Sequence, residues 1–325
     1  MKKNRKNILI QSTLALLFIL ASFFLFSLAF GLQKNDTFSF FTPPEKTGER
    51  KSITSTKQLD FINFQRNGYE RNDLEYILQH KEELSSLSAQ SFLIGDLDTG
   101  EIIFEKKSNT IFPIASVTKF MTALTAIETL GPNELATITK EKVAVPGGNR
   151  AQFVIGDTLT IRELIYPLLL VSANDAGEII AQQHNHDIFM SNMNQYAKRI
   201  GMEQSFFEDP TGLSNKNTST AQDLFKMMIF VKEQNPEIIE VSRLNFKRIG
   251  KYLWQNINKA AAFPGFFGGK TGFTSAAKYT SIGYYKVTLA NDQTRNIGVV
   301  ILQSNSRESD TKKILLYLSK YVAYL

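Results

Sequence analysis

Cysteine is absent from the 325-residue chain, and histidine occurs three times. The chain therefore forms no disulfide and carries no thiolate nucleophile or cysteine-ligated metal, which fits an exported bacterial protein that avoids redox dependence. His184 and His186 lack the spacing of a metal-binding pair, so we interpret 184–187 as a solvent-exposed connector. We expect neither a metal nor a cofactor.

The net charge is small beyond the N-terminus. The formal net charge is +6, and four of these charges lie within residues 1–7, so the rest of the chain carries 6 − 4 = +2. Because no basic stripe with interleaved aromatic residues remains, we expect no nucleic-acid partner.

A run without charged residues, Ile8 to Leu32, follows these N-terminal cations. The run is long enough to cross a bilayer, and the cations favour a cytoplasmic N-terminus. We therefore predict a cytoplasmic segment over 1–7, a single membrane anchor over 8–32 and a cell-membrane protein whose remainder is extracytoplasmic. A cleaved signal peptide is the alternative, since Ser27 and Ala29 form a small-x-small pair, but the apolar run exceeds the usual 7–15 residues of such a peptide.

Residues 33–58 are polar and contain Pro43, Pro44 and Gly48, which predicts a flexible linker. A lead-in segment follows over 59–90. Apolar residues recur at near-helical spacing between 72 and 84, so we expect a short amphipathic helix there. Residues 91–325 then form one catalytic domain.

Turn and strand patterns stand at both ends of this domain. Residues 91–107 alternate around Asp98–Gly100, and 279–303 alternate around a second polar turn, so each segment predicts a hairpin. A last helix is expected from about Ser309 to Leu325. The sequence thus predicts an α+β fold, in which an antiparallel sheet from both chain ends is flanked by helices and carries an inserted all-helical lobe. The helices of that lobe are predicted over 117–130, 161–170, 175–183, 188–201 and 221–233.

Three short motifs carry candidate chemistry: Ser116–Lys119 (S-x-x-K), Ser172–Asn174 (S-x-N) and Lys270–Gly272 (K-T-G). Each has a structural interpretation when taken alone. The first fits an ordinary helix N-cap, the second a capping turn between two helices, and the third an edge strand protected by a lysine.

Chance copies of these patterns occur in unsuitable contexts. Lys46–Gly48 lies in the linker, and Ser309 is better explained as the N-cap of the last helix. Ser275 and Lys278 fall at the start of a strand, where positions three apart face opposite ways. Ser116 and Lys119 differ, because they lie at the start of a helix, one turn apart on the same face.

A serine hydroxyl is a poor nucleophile until a base removes its proton. Lysine serves as that base when burial or a neighbouring cation lowers its pKa. The spacing of Ser116 and Lys119 lets the amine reach the hydroxyl, and Lys270 is a candidate for the neighbouring cation.

The three motifs, in this order, resemble the active-site set of penicillin-binding proteins and serine β-lactamases. Over Ser91 to Leu325 the chain resembles the D-alanyl-D-alanine carboxypeptidase family of low-mass penicillin-binding proteins, which implies the β-lactamase/penicillin-binding-protein-like transpeptidase fold. The blocks that carry this resemblance include LIGDLDTGEIIFEKKSNTIFPIASVTKFMTALTAIE, YPLLLVSANDAGEIIA, RIGMEQSFFEDPTGL, NTSTAQDL and GGKTGFTS.

The resemblance implies roles for the matching residues. Ser116 is the expected nucleophile, Lys119 its general base and Ser172 the proton relay to the leaving amine. Asn174 is expected to position both the substrate and Lys119.

The same resemblance assigns the K-T-G strand to substrate binding. Lys270 and Thr271, followed by Gly272, are expected to bind the terminal carboxylate. The backbone N–H groups of Ser116 and Phe273 are expected to form an oxyanion hole, whose donors each contribute about 3 kcal/mol of barrier lowering.

The expected activity is removal of the terminal D-alanine from peptidoglycan stem peptides through an acyl-enzyme, with β-lactams as acylating inhibitors. No E-x-x-L-N pattern is present and position 173 is Ala, so slow release of penicillin is expected. A cross-link-cutting endopeptidase with the same residues and a non-enzymatic penicillin-binding sensor stay open as alternatives.

Overall fold

The computed structural model describes residues 76–145 and 147–324. The predicted cytoplasmic segment, the anchor and the linker lie outside these residues, as does the lead-in up to residue 75. Within the described ranges, no helix combines the length and apolar character needed to cross a membrane.

The described chain contains both strands and helices. The strands are β1 (Tyr76–Leu78), β2 (Ser91–Asp96), β3 (Ile102–Lys106), β4 (Phe112–Pro113), β5 (Leu135–Thr137), β6 (Thr158–Thr160), β7 (Thr218–Ser219), β8 (Phe246–Ile249), β9 (Tyr252–Gln255), β10 (Phe266–Thr274), β11 (Lys278–Thr288), β12 (Thr294–Ser304) and β13 (Val322–Tyr324). The α-helices are α1 (Thr118–Thr129), α2 (Ile161–Leu170), α3 (Asn174–Ala181), α4 (His186–Arg199), α5 (Ala221–Gln234), α6 (Pro236–Arg243) and α7 (Arg307–Tyr321). Short 3₁₀ turns occupy Lys81–Ser86, Ala115–Val117 and Lys259–Ala262.

The central sheet has the strand order β10-β11-β12-β2-β3, and its neighbouring strands are antiparallel. Strand β2, from the start of the domain, pairs with β12, near its end, so that Ile297 lies opposite Asp96 and Leu302 opposite Ser91. The predicted sheet from both chain ends and its two hairpins are therefore confirmed. β10, which carries the K-T-G motif, is an edge strand.

Both faces of this sheet are covered. Leu93 of β2 packs into a core shared with the helical lobe, whereas its neighbours Phe92 and Ile94 belong to a second core under α7. Because successive strand residues point to opposite faces, this explains why β2 is buried along its whole length.

The inserted lobe, α1 to α6, includes all five predicted lobe helices. α2 has the predicted bounds, because Thr160 and Glu163 form a capping box at its start. The sequence interpretation missed α6 and the β8–β9 hairpin that follows it.

The helix predicted over 72–84 is wrong in its described part. Tyr76–Leu78 is a strand that pairs with β13, followed by a 3₁₀ turn. Tyr76 is buried and Ile77 is 46% exposed, so the segment alternates as an edge strand does. Pairing with a distant part of the chain has overridden the local helical spacing.

The last helix also differs from its prediction. It begins at Arg307, ends at Tyr321 and is capped by the side chain of Ser306 rather than Ser309. Val322–Tyr324 forms β13 because these residues complete the ladder with β1.

Candidate active site

Ser116 and Lys119 lie side by side where the 3₁₀ turn of Ala115–Val117 runs into α1. The Lys119 Nζ donates a hydrogen bond to Ser116 Oγ over 3.0 Å. The lysine side chain is fully buried, so its amine is held beside the hydroxyl within the protein. The structure thus brings together the two residues of the S-x-x-K motif, although α1 itself begins two residues after Ser116.

Burial lowers the pKa of Lys119 to about 7, even though the negative charges of Asp209 and Asp175 act in the opposite direction. The same ammonium donates to the carbonyl oxygen of Thr211 over 2.6 Å. Asn174, which the family resemblance places beside Lys119, is not among its hydrogen-bond partners in the described structure. A lysine with a pKa near neutrality is able to hold and release a proton at physiological pH.

The loop that supplies the Thr211 carbonyl is organised by Asp209. One carboxylate oxygen accepts the N–H groups of Thr211 and Gly212 at 2.7 Å each, and the other accepts the Ser214 N–H at 2.7 Å. Burial alone would raise the pKa of Asp209, but the hydrogen bonds from the Thr211 hydroxyl and from these N–H groups outweigh it and hold the pKa below its ordinary value. The turn at 209–212 was predicted from composition, whereas its contact with Lys119 was not.

Gly212 brings this loop against the turn before α1. It has a φ of +81°, and a Cβ at this position would stand 2.0 Å from the carbonyl oxygen of Ala115 and 2.9 Å from Ser116 N. Ala115 itself adopts the left-handed conformation with a φ of 47°. A non-glycine residue in this region stores about 1–3 kcal/mol of strain, which the surrounding contacts must offset.

Strand β10 approaches the same serine from the sheet side. A Cβ on Gly272 would lie 2.8 Å from Ser116 N and 2.9 Å from the carbonyl oxygen of Ile114. The K-T-G glycine therefore permits a close approach that a side chain would block. The next residue, Phe273, has a 57% exposed side chain.

Lys270 is also buried, at 2% exposure, and its Nζ donates to the carbonyl of Thr271 over 2.8 Å. Burial, followed by the positive charges of Lys119 and Arg307, places its pKa well below the ordinary value for lysine. Lys119 contributes to the lowered pKa of Lys270, whereas the groups that shift the pKa of Lys119 are its burial, Asp209 and Asp175, so the expected effect of Lys270 on Lys119 stays a prediction.

Ser172 and Asn174 lie at the junction of α2 and α3, as the sequence predicted. Ser172 is a buried non-glycine residue with a φ of 58°, which makes it a second strained position after Ala115. Asn149, which sequence reasoning missed, holds the junction through two hydrogen bonds of 2.8 Å: its carbonyl accepts the Asn174 N–H, and its Nδ2 donates to the Val171 carbonyl. The sequence Pro-Gly-Gly-Asn at 146–149 is typical of a turn, and this pattern could have drawn attention to Asn149.

Arg307, at the start of α7, is a further residue that sequence reasoning missed. Its Nη1 donates to the Gly272 carbonyl over 2.8 Å, and its guanidinium lies 5.2 Å from the centre of the Tyr279 ring. Burial lowers its pKa. Since 35 residues separate the two partners, no local pattern signals this contact.

The candidate active site thus joins a serine, a lysine of lowered pKa and a close-approaching edge strand that carries a second buried lysine, while Ser172 and Asn174 lie at the junction of α2 and α3. Such a set supports acyl transfer by covalent catalysis. In the described ranges, no group of three or more His, Asp or Glu side chains has an arrangement that could hold a metal ion.

Comparison with known proteins places this geometry in a family. Residues 78–305 match the profile of peptidase family S11, described as D-alanyl-D-alanine carboxypeptidase. A D-alanyl-D-alanine carboxypeptidase of Bacillus subtilis is 29% identical over 260 residues, which cover 72% of this chain and 63% of that relative, less than two thirds of its length. A D-alanyl-D-alanine endopeptidase of Haemophilus influenzae is 30% identical, and the match covers 70% of this chain and 80% of the relative.

Among solved structures, penicillin-binding protein D2 of Listeria monocytogenes in its cefotaxime-bound form superposes with a TM-score of 0.63 at 26% identity. The match covers 71% of this chain and 97% of that protein. The predicted α+β fold of the penicillin-binding proteins is therefore confirmed.

Proposed function

Because the chain belongs to the D-alanyl-D-alanine carboxypeptidase family, we propose that it is a serine-type carboxypeptidase acting on peptidoglycan stem peptides. In this proposal Ser116 attacks the carbonyl carbon of the penultimate D-alanine. The bond to the terminal D-alanine breaks, that residue leaves as the free amino acid, and water then hydrolyses the acyl-enzyme.

The observation that carries the proposal is the contact between Lys119 and Ser116. The 3.0 Å separation between Lys119 Nζ and Ser116 Oγ supports transfer of the hydroxyl proton to the amine, and a pKa of about 7 leaves a large neutral fraction of Lys119 at physiological pH. Neutral Lys119 takes the serine proton as the new C–O bond forms. The resulting ammonium is stabilised by the Thr211 carbonyl, which already accepts its hydrogen bond.

The remaining motif residues complete the proposed mechanism. Ser172 relays the proton to the leaving amine, and Asn174 holds the acyl part of the substrate. Lys270 and Thr271, on the strand that Gly272 brings against Ser116, bind the terminal carboxylate.

Charge that develops on the carbonyl oxygen needs donors that are fixed before the reaction. In our proposal these are the backbone N–H groups of Ser116 and Phe273. The closeness of Gly272 to Ser116 N supports this pairing, because it sets the two donors on neighbouring segments.

The same site accounts for binding of β-lactams, which present a strained acyl group to the serine. The Listeria monocytogenes protein with the same fold was solved with cefotaxime and with ampicillin bound. We expect β-lactams to acylate Ser116 and to be released slowly.

An endopeptidase that cuts peptide cross-links is the second candidate function. It is favoured by the likeness to the Haemophilus influenzae endopeptidase, whose length is covered to 80%. Both reactions use one acyl-enzyme and differ in the amine that leaves. Release of monomers from cross-linked muropeptides would identify the endopeptidase.

For the cell we propose a membrane-tethered protein whose N-terminus is cytoplasmic and whose catalytic domain is extracytoplasmic. The proposal is supported by the uncharged run from Ile8 to Leu32 behind four cations. A mass spectrum of the membrane-extracted protein tests it, since a cleaved signal peptide would leave a chain shorter by about 30 residues, the usual upper length of such peptides.

The deciding experiment for the enzyme measures D-alanine released from a diacetylated L-Lys-D-Ala-D-Ala tripeptide, with and without penicillin pretreatment. Penicillin-sensitive release supports the carboxypeptidase. Acylation by penicillin without release of D-alanine, and without release of monomers from cross-linked muropeptides, would instead indicate a penicillin-binding sensor.

A further inference from the structure

A short exposed segment, residues 147–151, lies against the S-x-N motif, and we call it the strap. The carbonyl oxygen of Gly147 accepts a hydrogen bond from Asn174 Nδ2 over 3.3 Å. Gly148 is exposed, whereas Asn174 is only 3% exposed. The strap therefore contacts the side chain to which our proposed mechanism assigns the acyl part of the substrate.

Hydrogen bonds fix the strap to the backbone on both sides of the motif. Asn149 accepts the Asn174 N–H at its carbonyl oxygen and donates from its Nδ2 to the Val171 carbonyl, each over 2.8 Å. The Ala151 N–H lies 3.0 and 3.1 Å from the two carboxylate oxygens of Asp175 and donates to both. Since Val171 precedes the motif and Asp175 follows it, the strap cannot move away without losing these bonds.

Gly148 is the strap residue that leaves room for the Asn174 amide. It has a φ of +71°, and a Cβ at this position would lie 2.0 Å from Asn174 Nδ2 and 3.1 Å from its Cγ. Because 2.0 Å is far shorter than any non-bonded contact, one of the two groups has to shift. The amide is the end of a side chain and moves by rotation about a single bond, whereas the strap is held by several hydrogen bonds.

From these contacts we infer that Gly148 is a positioning residue for Asn174. The absence of a side chain at position 148 allows the amide to keep the orientation in which it donates to the Gly147 carbonyl. The inference rests on the proposed function, in which this oriented amide holds the acyl part of the substrate. Any larger residue at position 148 would rotate the amide away from its place while leaving the backbone of the strap bonded.

The test measures release of D-alanine from diacetylated L-Lys-D-Ala-D-Ala by the full-length enzyme and by Gly148→Ala. We expect kcat/KM to fall about a hundredfold, the loss that follows when a substrate-positioning group is misplaced by about 1 Å. The thermal midpoint of unfolding should stay close to that of the wild type, because the contact is relieved by a side chain. Labelling with a fluorescent penicillin gives the concentration of active sites in each preparation.

Gly156→Ala is the matched control. Gly156 follows the strap in the chain and also has a positive φ, of +94°, but no atom lies within 4 Å of the added carbon. This variant carries similar backbone strain without the contact, so its kcat/KM should equal that of the wild type.

A double variant tests whether Gly148 acts through Asn174. Asn174→Ala removes the amide, so that the methyl group of Gly148→Ala has nothing to displace. The double variant should therefore have the same kcat/KM as Asn174→Ala alone, whereas two independent effects would multiply. A further loss in the double variant overturns the inference, and so does a Gly148→Ala enzyme as active as Gly156→Ala.

If Gly148→Ala does not fold, thermal unfolding of the double variant decides. Recovery of folding supports the contact with the Asn174 amide, and an unfolded double variant overturns it. A wild type that releases no D-alanine but is labelled by a fluorescent penicillin overturns the proposed function instead. The same variants are then compared by their labelling rates, for which the same equality between Asn174→Ala and the double variant is expected.

Discussion

The ammonium of Lys119 lies 2.6 Å from the carbonyl oxygen of Thr211, a residue 92 positions further along the chain. The contact joins the first helix of the lobe to a loop that carries none of the three motifs. It gives the lysine a fixed acceptor in a site where burial has lowered its pKa to about 7. The Lys119 amine is thus held by two hydrogen bonds, one to Ser116 Oγ and one to the Thr211 carbonyl oxygen.

Ser116→Ala should abolish covalent labelling by a fluorescent penicillin, because no other hydroxyl lies within hydrogen-bonding distance of the Lys119 ammonium in the described structure. Gel fluorescence after denaturation measures the labelling. Ser275→Ala is the matched control, since Ser275 begins a second S-x-x-K pattern, and this variant should label like the wild type. Persistent labelling of Ser116→Ala would refute the nucleophile.

Asp209→Asn should shift the acidic limb of the acylation rate to lower pH. In the proposed mechanism Lys119 acts as a base when it is neutral, so the acylation rate is expected to rise with pH through its pKa of about 7. The negative charges of Asp209 and Asp175 raise that pKa. Removal of the Asp209 charge therefore lowers the Lys119 pKa, so that a larger fraction of Lys119 is neutral at low pH.

The measurement is the rate of acylation by a chromogenic cephalosporin or fluorescent penicillin between pH 5 and pH 9. Asparagine keeps one side-chain oxygen for the N–H groups of Thr211 and Gly212, so the loop retains two of its hydrogen bonds. Glu208→Gln, a neighbouring carboxylate on the same loop, serves as control and should leave the limb in place. A uniform loss of rate without a shift would mean that Asp209 acts through loop structure alone.

Gly212→Ala should impair both acylation and folding, since the added methyl would stand 2.0 Å from the Ala115 carbonyl oxygen, on backbone atoms that cannot rotate away. Strained contacts of this kind cost about 1–3 kcal/mol of stability. Gly156→Ala is the control, because Gly156 also has a positive φ, of +94°, but no atom within 4 Å of the added carbon. If both variants are acylated equally fast, the close approach of Gly212 to the turn at Ala115–Val117 has no role in acylation.

Local sequence patterns were sufficient to predict several elements of this fold and part of the candidate site. The spacing of Ser116 and Lys119 places them one turn apart, and the Thr160–Glu163 capping box sets the start of α2 where the apolar run begins. The alternation around Asp98 likewise predicts the β2–β3 hairpin. In each case the residues that determine the structure are within a few positions of one another.

Non-local contacts were not predictable. The Thr211 carbonyl and Arg307 reach the site through the fold, because a backbone oxygen has no residue-type signature and the arginine is remote in sequence from Gly272. The segment at Tyr76 was assigned to a helix because its spacing fits one, yet its ladder partner, Tyr324, is at the far end of the chain. Hydrophobic periodicity indicates which face of a segment is buried, but it does not indicate which distant segment pairs with it.

That lead-in strand gives a stability prediction. Tyr76 Oη donates to Asp96 Oδ2 over 2.5 Å, and the same oxygen accepts Arg295 Nε over 2.7 Å. Asp96 is fully buried, so Tyr76→Phe removes one hydrogen bond to a buried charge while Arg295 keeps the carboxylate paired. The expected loss of unfolding free energy is about 1.5–3 kcal/mol.

Chemical denaturation of the full chain, followed by tryptophan fluorescence, measures this loss, because the one tryptophan, Trp254, is buried in the lobe core. Penicillin labelling at low denaturant should be unchanged, since Tyr76 lies in the core under α7 and not at the site. Ile77→Ala on the same strand is the control, and its exposed side chain predicts a change within about 0.5 kcal/mol. If Tyr76→Phe is as stable as Ile77→Ala, the lead-in strand does not hold the domain through Asp96, and its pairing with β13 must carry that attachment alone.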